Sequence, residues 1–392
     1  MYRNNKCDFN QRARAAAARD AVCLAHVYLL LLVGSMTESR KRIKGRAVLN
    51  NPANRFQACR HEVFDDGWGE QDADPDTPAT ELIRDASRSV LVYNQSPDVP
   101  FDRSVNPYRG CEHGCVYCFA RPTHAYLDCS AGLDFETRIF YKADAAELLE
   151  QELGKPRYRC QPIALGVNTD AYQPAERTLK ITRGILEVLL AHRHPVGIVT
   201  KSALVERDLD LLGDMAGRNL VHVMISVTSL DKRLARSMEP RAAAPRRRLE
   251  TIRRLSAAGI PVGVLVAPVI PVLNDQEIES ILTSVREAGA LTAGNVMLRL
   301  PREVKDLFKS WLEHHVPLKA DHVMKRIRDI RGGRENDSQF GRRMRGTGVY
   351  AELIHKRFES ALARLSFQGM PAFDCSRFRS VRESAPQLEL FD

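Results

Sequence analysis

The sequence predicts an α/β protein built on a parallel sheet, and three observations carry the prediction. From about residue 101, apolar runs of strand length alternate with segments of helical period. Such alternation implies parallel strands joined by right-handed helical crossovers. Counting one strand just before Cys111 gives about six βα units, and past Leu300 the pattern turns helical and basic.

The elements follow in order. In residues 1–35, Arg12, Arg14 and Arg19 precede an apolar run, residues 21–34, too short to span a bilayer. Met36 opens an ordinary hydrophilic start, so residues 1–35 are expected to be a mis-assigned start or a disordered extension, with a targeting segment as the alternative. Residues 36–100 form a polar segment with acid-rich stretches. It reads as a tail with a short helix over 79–87. Strands are expected at 163–167, 196–200, 221–227, 261–269 and 295–300. Helices are expected between them at 178–192, 206–215, 245–258 and 276–288. Pro245 suits the first turn of its helix. Arg246, Arg247 and Arg248 with Arg253 and Arg254 read as a solvated face of it. Residues 306–385 form a basic helical region, with helices at 304–312, 322–330 and 350–365. Between Asp321 and Arg357 there are ten Lys or Arg against five Asp or Glu.

Composition narrows the function. The 392 residues are 44% hydrophobic and 27% charged, as in a globular domain large enough for a sizeable core. No membrane is expected as a partner. A net charge of +9 suits a polyanion. Nine cysteines, three of them closely spaced and six scattered, are not a disulfide framework, so a reducing cytoplasm is the expected compartment.

Cys111, Cys115 and Cys118 form a C-x3-C-x2-C run. Three thiolates at this spacing can hold three irons of a cubane and leave the fourth open. An electron-carrier cluster of this type takes four cysteines, and no fourth follows at short spacing; the next is Cys129. Zinc on three thiolates with His113 or His124, or three merely buried cysteines, are the alternatives. His113 is also a candidate hydrogen-bond donor to a cluster sulfide, and His124 reads as structural.

The run C-x3-C-x-aromatic-C, with Tyr117 in the aromatic slot, resembles the signature of radical S-adenosylmethionine (SAM) enzymes. The context from Asn106 to Tyr126 and on through Glu136 resembles a bacterial family of unassigned activity grouped with the spore-photoproduct-lyase-like proteins. That similarity runs from roughly Gly45 to the C-terminus. It implies a partial (βα)6 barrel over residues 101–305. It also implies a [4Fe–4S] cluster on Cys111, Cys115 and Cys118, fed by a reductant, whose open iron takes SAM for reductive cleavage to a 5′-deoxyadenosyl radical. Ligands of such sheets gather at the C-terminal ends of the strands. The candidate SAM contacts are therefore Tyr117, Gly166, Asn168, Thr169, Asp170, Lys201 and Ser226. The plain readings are a local turn at 166–170, a solvated Lys201 and a backbone-bonded Ser226. Glu239-Pro-Arg241 also resembles a family motif and reads as an internal ion pair.

Two features bear on substrate, which is expected to be nucleic acid, with damaged DNA favoured over RNA or a small molecule. A non-catalytic iron–sulfur nucleic-acid-binding module is the reading from another class. In spore photoproduct lyase a cysteine just before the strand-2 Thr/Ser-Asp donates hydrogen to the product radical. Val167 or Asn168 stands there in this chain, which argues against thymine-dimer reversal by that route unless Cys129 or Cys160 substitutes. The tail at 386–392 carries Gln387, Leu388, Leu390 and Phe391. It resembles the peptide with which bacterial repair proteins dock on the DNA sliding clamp, so the clamp is an expected partner.

Overall fold

The computed structural model describes residues 45–56 and 79–380. The expectations for residues 1–35 and for the tail at Gln387–Phe391 lie outside the described residues.

Among the described residues ten strands form two sheets: β1 Glu81–Arg84, β2 Leu91–Tyr93, β3 Arg103–Val105, β4 Tyr108–Arg109, β5 Arg138–Tyr141, β6 Ile163–Leu165, β7 Val196–Thr200, β8 Val221–Ser226, β9 Val262–Val269 and β10 Thr292–Met297. The larger sheet runs β10-β9-β8-β7-β6-β3-β2. Its six strands from β3 to β10 are parallel and lie in chain order, and β2 adds antiparallel to β3 at the edge. This is the expected open six-fold βα arrangement. β3, β6, β8 and β9 are buried almost throughout; β6 reads Ile-Ala-Leu and β8 Val-His-Val-Met-Ile-Ser, runs with too little polar alternation for a solvated face.

Helices cover the sheet because their apolar residues repeat at helical spacing. Ile181–Ala191 buries Ile181, Ile185, Leu186 and Leu189, and Ile278–Glu287 buries Ile278, Ile281, Leu282 and Val285. Pro245 opens the helix Pro245–Ala257 as expected, but Arg248 corrects the reading of a solvated face. It is 2% exposed and points into the sheet end, whereas Arg247 and Arg254 pair with Glu206.

Three further expectations are corrected. Residues 79–87 hold no helix: Glu81–Arg84 is a strand paired in parallel with Arg138–Tyr141, in a small sheet of order β1-β5-β4. The last parallel strand is Thr292–Met297 rather than 295–300. Its small residues pair with β9, and Leu298 and Leu300 are buried beyond the strand end. The helix expected from 178 is broken at Lys180, which takes a left-handed conformation (φ 53°).

The basic C-terminal region is part of the core. Val304, Leu307, Phe308, Trp311 and Leu312 of the helix Val304–His315 join Val323, Met324 and Ile327 of Pro317–Asp329 in a second hydrophobic cluster. That cluster also contains Cys115, Val116, Tyr117, Ala47 and Val48, so the cysteine loop is packed on both sides. Trp311 is fully buried and donates through Nε1 to the Ser237 carbonyl at 3.0 Å. Among the described residues no helix is long and apolar enough to cross a membrane.

Candidate cluster and cofactor site

The chain leaves β3, makes the two-residue strand β4 and turns at Gly110 into the cysteine loop. A Cβ at Gly110 (φ 82°) would meet His124 Cε1 at 2.9 Å and the Arg138 carbonyl at 3.0 Å, so only glycine lets the loop enter. Cys111 and Cys115 are each 8% exposed, and Cys118 is half-buried. The loop is tied down by backbone bonds from Cys111 N to the Phe135 carbonyl (2.9 Å) and from Val116 N to the Met238 carbonyl (3.0 Å).

A buried arginine holds the loop's shape. Arg121, wholly buried, donates to the carbonyls of Cys115 (2.9 Å), Gly114 (3.1 Å), Ala131 (3.1 Å) and Gly132 (2.9 Å), and pairs with Glu136 at 2.5 Å. Glu136 is also wholly buried, and the Glu136 carbonyl accepts from Arg46 at 2.8 Å. Gly114 (φ 65°) sits against this pair: a Cβ there would lie 2.7 Å from Glu136 Oε2.

The loop is also bound to the end of β6. Glu112 N donates to Gln173 Oε1 (2.8 Å), Ala175 N donates to Glu112 Oε2 (2.7 Å), and Arg241 pairs with Glu112 at 3.0 Å. His113 Nδ1 lies 3.2 Å from Asp170 Oδ2. Asp170 in turn accepts from Thr200 Oγ1 and Lys201 N, both at 2.7 Å, and from Tyr172 N at 2.9 Å. Burial pushes the Asp170 carboxyl up, but His113 and these donors outweigh it and hold it down to about 2. Asp170 thus ties the ends of β6 and β7 together beside His113 of the cysteine loop.

The other expected contacts divide into two groups. At the β6 end, a Cβ on Gly166 (φ 80°) would lie 2.8 Å from the Val199 carbonyl, so this glycine admits the neighbouring strand. Thr169 Oγ1 donates to the Tyr108 carbonyl at 2.7 Å, and Asn168 is half-buried with its N–H on Asn106 Oδ1 at 2.9 Å. At the ends of β7 and β8, Tyr117, Lys201 and Ser226 come together around Glu239. Tyr117 and Thr228 hydroxyls both donate to Glu239 Oε1, and Arg248 pairs with Oε2. Arg248 also donates to the Ser226 carbonyl at 2.9 Å. Lys201 Nζ lies 6.0 Å from the Tyr117 ring centroid. Burial alone pushes Glu239 up, yet Arg248 and Lys201 hold it down to about 2. Glu239 is therefore in an internal ion pair, as expected, but with Arg248; Arg241 goes to Glu112.

The donor set fits a cluster. Burial pushes the Cys115 thiol up to about 12 against the opposing pull of Lys201 and Arg248, and burial with Asp170 pushes Cys111 well up, so two buried thiolates here call for more positive charge than these side chains supply. Iron supplies that charge. Among the described residues no three His, Cys, Asp or Glu side chains converge as a site for a single ion, so the fit rests on the three thiols and their shared loop. Among the described residues the other cysteines are Cys129, Cys160 and Cys375. Cys129 Sγ accepts from Arg138 at 3.2 Å, and Cys160 neighbours Cys375 and Arg103, at the opposite end of β3 from the loop.

Sequence reasoning missed Arg121, Glu136, Glu112 and Gln173. The first two stand 15 positions apart with no periodic signature, and the last two join segments that only the sheet order brings together.

Parts of the chain match known proteins. Residues 105–285 match the Radical SAM superfamily. An uncharacterized protein of Mycobacterium tuberculosis is 40% identical over 221 residues, 56% of this chain and 65% of that protein. An uncharacterized protein of Methanocaldococcus jannaschii is 28% identical over 173 residues, 44% of this chain and 62% of that protein. The matched region thus spans just under two thirds of these relatives' length. Among solved structures, spore photoproduct lyase complexed with dinucleoside spore photoproduct superposes with a TM-score of 0.53 at 14% identity, covering 74% of this chain and 80% of that one. At that identity the likeness is one of fold.

Proposed function

We propose, for a chain whose residues 105–285 match the Radical SAM superfamily, that Cys111, Cys115 and Cys118 hold a [4Fe–4S] cluster and that the protein is a SAM-cleaving enzyme acting on nucleic acid. The observation that carries the reading is the three-cysteine loop held at the C-terminal end of six parallel strands by Arg121 and by the bonds of Glu112 to Gln173 and Ala175. With SAM bound and an electron delivered by a cytoplasmic reductant, the cluster supplies homolytic cleavage to a 5′-deoxyadenosyl radical. The chain's own residues bind, orient and exclude water.

Their roles follow from position. Lys201 and Asn168 are the groups offered to the amino acid part of SAM. Burial opposes the Lys201 charge, and Cys115 and Glu239 more than restore it, so it presents an ammonium. Glu239, Arg248 and Thr228 position Tyr117 and Ser226. Asp170 and Thr169, with their oxygens committed to internal donors and carbonyls, brace the loop rather than contact the ligand.

The choice of nucleic acid rests on the net charge of +9 and on the name of the superposed enzyme's ligand, a dinucleoside photoproduct. DNA repair, and recruitment by the sliding clamp through Gln387, Leu388, Leu390 and Phe391, belong to the same proposal. The test is anaerobic incubation of reduced, reconstituted protein with labelled SAM. Formation of 5′-deoxyadenosine that disappears in Cys115→Ala supports the proposal. Intact SAM in the presence of a full complement of iron favours the non-catalytic module.

A further inference from the structure

A band of arginine–aromatic pairs crosses the surface at the cysteine loop. Phe119 directly follows Cys118 and is 46% exposed, and the Arg299 guanidinium lies 5.3 Å from its ring centroid. Arg299 follows β10, so this pair sits at the C-terminal end of the sheet. In one direction the segment reaches Glu303, which accepts from Arg55 at 2.9 Å. Arg55 lies 4.6 Å and 5.2 Å from the rings of Phe56 and Tyr126, which are 5.4 Å apart and 57% and 68% exposed. In the other direction Arg299 Nη1 lies 3.8 Å from Met344 Sδ, and the adjacent Arg343 is 4.5 Å from the ring of Phe340, 53% exposed.

Isolated exposed rings need no explanation, but a connected band of them marks a binding surface. The charges say what it binds. Arg299 Nε is buried without a hydrogen-bond partner. The carboxylate nearby, Asp98, is already occupied by Arg343 and by the N–H of Gly341. The band therefore holds a guanidinium that lacks an anion, among rings that are 46–68% exposed. Nucleobases stack on such rings whatever their sequence, and phosphates take the guanidinium. A duplex hides its base faces, so an unpaired strand is the matching ligand. Arg342, Arg343 and Arg345 are largely committed: Arg342 pairs with Asp337, Arg343 with Asp98, and Arg345 approaches His355.

We propose that Phe56, Tyr126, Phe119 and Phe340, interleaved with Arg55 and Arg299, form a track that carries single-stranded nucleic acid past the cysteine loop. The proposal rests on the nucleic-acid reading above and sharpens it. The test is fluorescence anisotropy of the full chain, reconstituted anaerobically, with labelled oligo(dT), oligo(rU) and a hairpin duplex at several salt concentrations. Single strands should bind more tightly than the duplex, and the dT and rU arms separate DNA from RNA. Tyr126→Ala with Phe340→Ala should weaken single-strand binding by at least about fivefold per ring, without changing the salt slope, because stacking and not charge is lost. Tyr126→Trp with Phe340→Trp should retain binding, and Arg299→Gln should reduce the slope by about 0.7. Equal binding by wild type and the alanine pair overturns the track and leaves the nucleic-acid reading intact. Loss of binding in the tryptophan pair as in the alanine pair also overturns it. Failure of the wild type to bind any of the three probes at low salt overturns both.

Discussion

Replacing Arg121 by Met tests whether the cysteine loop is held from behind by a buried charge. The change removes five donor contacts, four to carbonyls of the loop and its return and one to Glu136. Glu136 is then left wholly buried, with Arg46 the remaining cation near it. Breaking one side of a buried ion pair costs about 3–5 kcal/mol. The stranded carbonyls fall within that range where the loop relaxes and add to it where it does not. At roughly 2–3 °C per kcal/mol, the melting temperature of the metal-free protein should fall by about 6–15 °C. Reconstituted iron should fall with it, because the Gly114 and Cys115 carbonyls are the atoms released. Arg121→Lys keeps the charge but not the fork that spans the carbonyls, so it should fall between the two. A Met variant that melts within 2 °C of wild type (about 1 kcal/mol) and takes up full iron would refute the reasoning, since a dispensable Arg121 cannot be what shapes the loop.

Other consequences are checkable in the same way. Gly114→Ala places a methyl 2.7 Å from Glu136 Oε2 at a left-handed φ and should lower iron uptake, by iron and sulfide assay, more than Gly213→Ala, where the added Cβ meets nothing. Lys201→Ala should weaken SAM binding by about 1.5–3 kcal/mol, read by equilibrium dialysis, with iron retained; unchanged affinity removes Lys201 from the site. His194 is wholly buried beside Tyr158, and burial lowers its pKa from 6.5 to about 4. The unfolded chain therefore binds the proton more tightly, and stability should fall as pH drops from 6.5 toward 4, by about 2 kcal/mol at pH 5. His194→Gln should flatten that part of the urea-midpoint profile, and an unchanged profile would exclude His194 as its source.

Much of the sheet is legible in the sequence because its strands are buried on both faces. Val196–Thr200 is read to the residue, and β8 and β9 to within one, since an apolar run bounded by turns leaves few alternatives. Glu81–Arg84 is not legible. It is short and largely exposed, and it exists because Arg138–Tyr141, far along the chain, supplies its hydrogen bonds. The shifted start of β10 has a similar cause: Thr292, Ala293 and Gly294 have weak strand character and are drawn in by β9.

The site divides along the same line. The cysteines announce themselves because their chemistry is local and their spacing short. Arg248 does not, because it lies among four other arginines and only the packing of its helix on β8 selects it for burial. Gly166, Thr169 and Asp170 lie at the end of β6, as their position in the sequence predicts, yet their atoms are spent on Val199, Tyr108, Thr200 and Lys201, contacts fixed by sheet order and invisible in sequence.

The central claim is that three thiolates at the strand ends hold a four-iron cluster with one iron open to SAM. Electron paramagnetic resonance of the reduced, reconstituted protein, with and without SAM, tests it most directly. The account predicts a [4Fe–4S]+ signal that is absent in Cys111→Ala, Cys115→Ala and Cys118→Ala, and that changes shape when SAM is added to the wild type. A signal that persists in all three variants, or one in the wild type that SAM leaves unaltered, would contradict it.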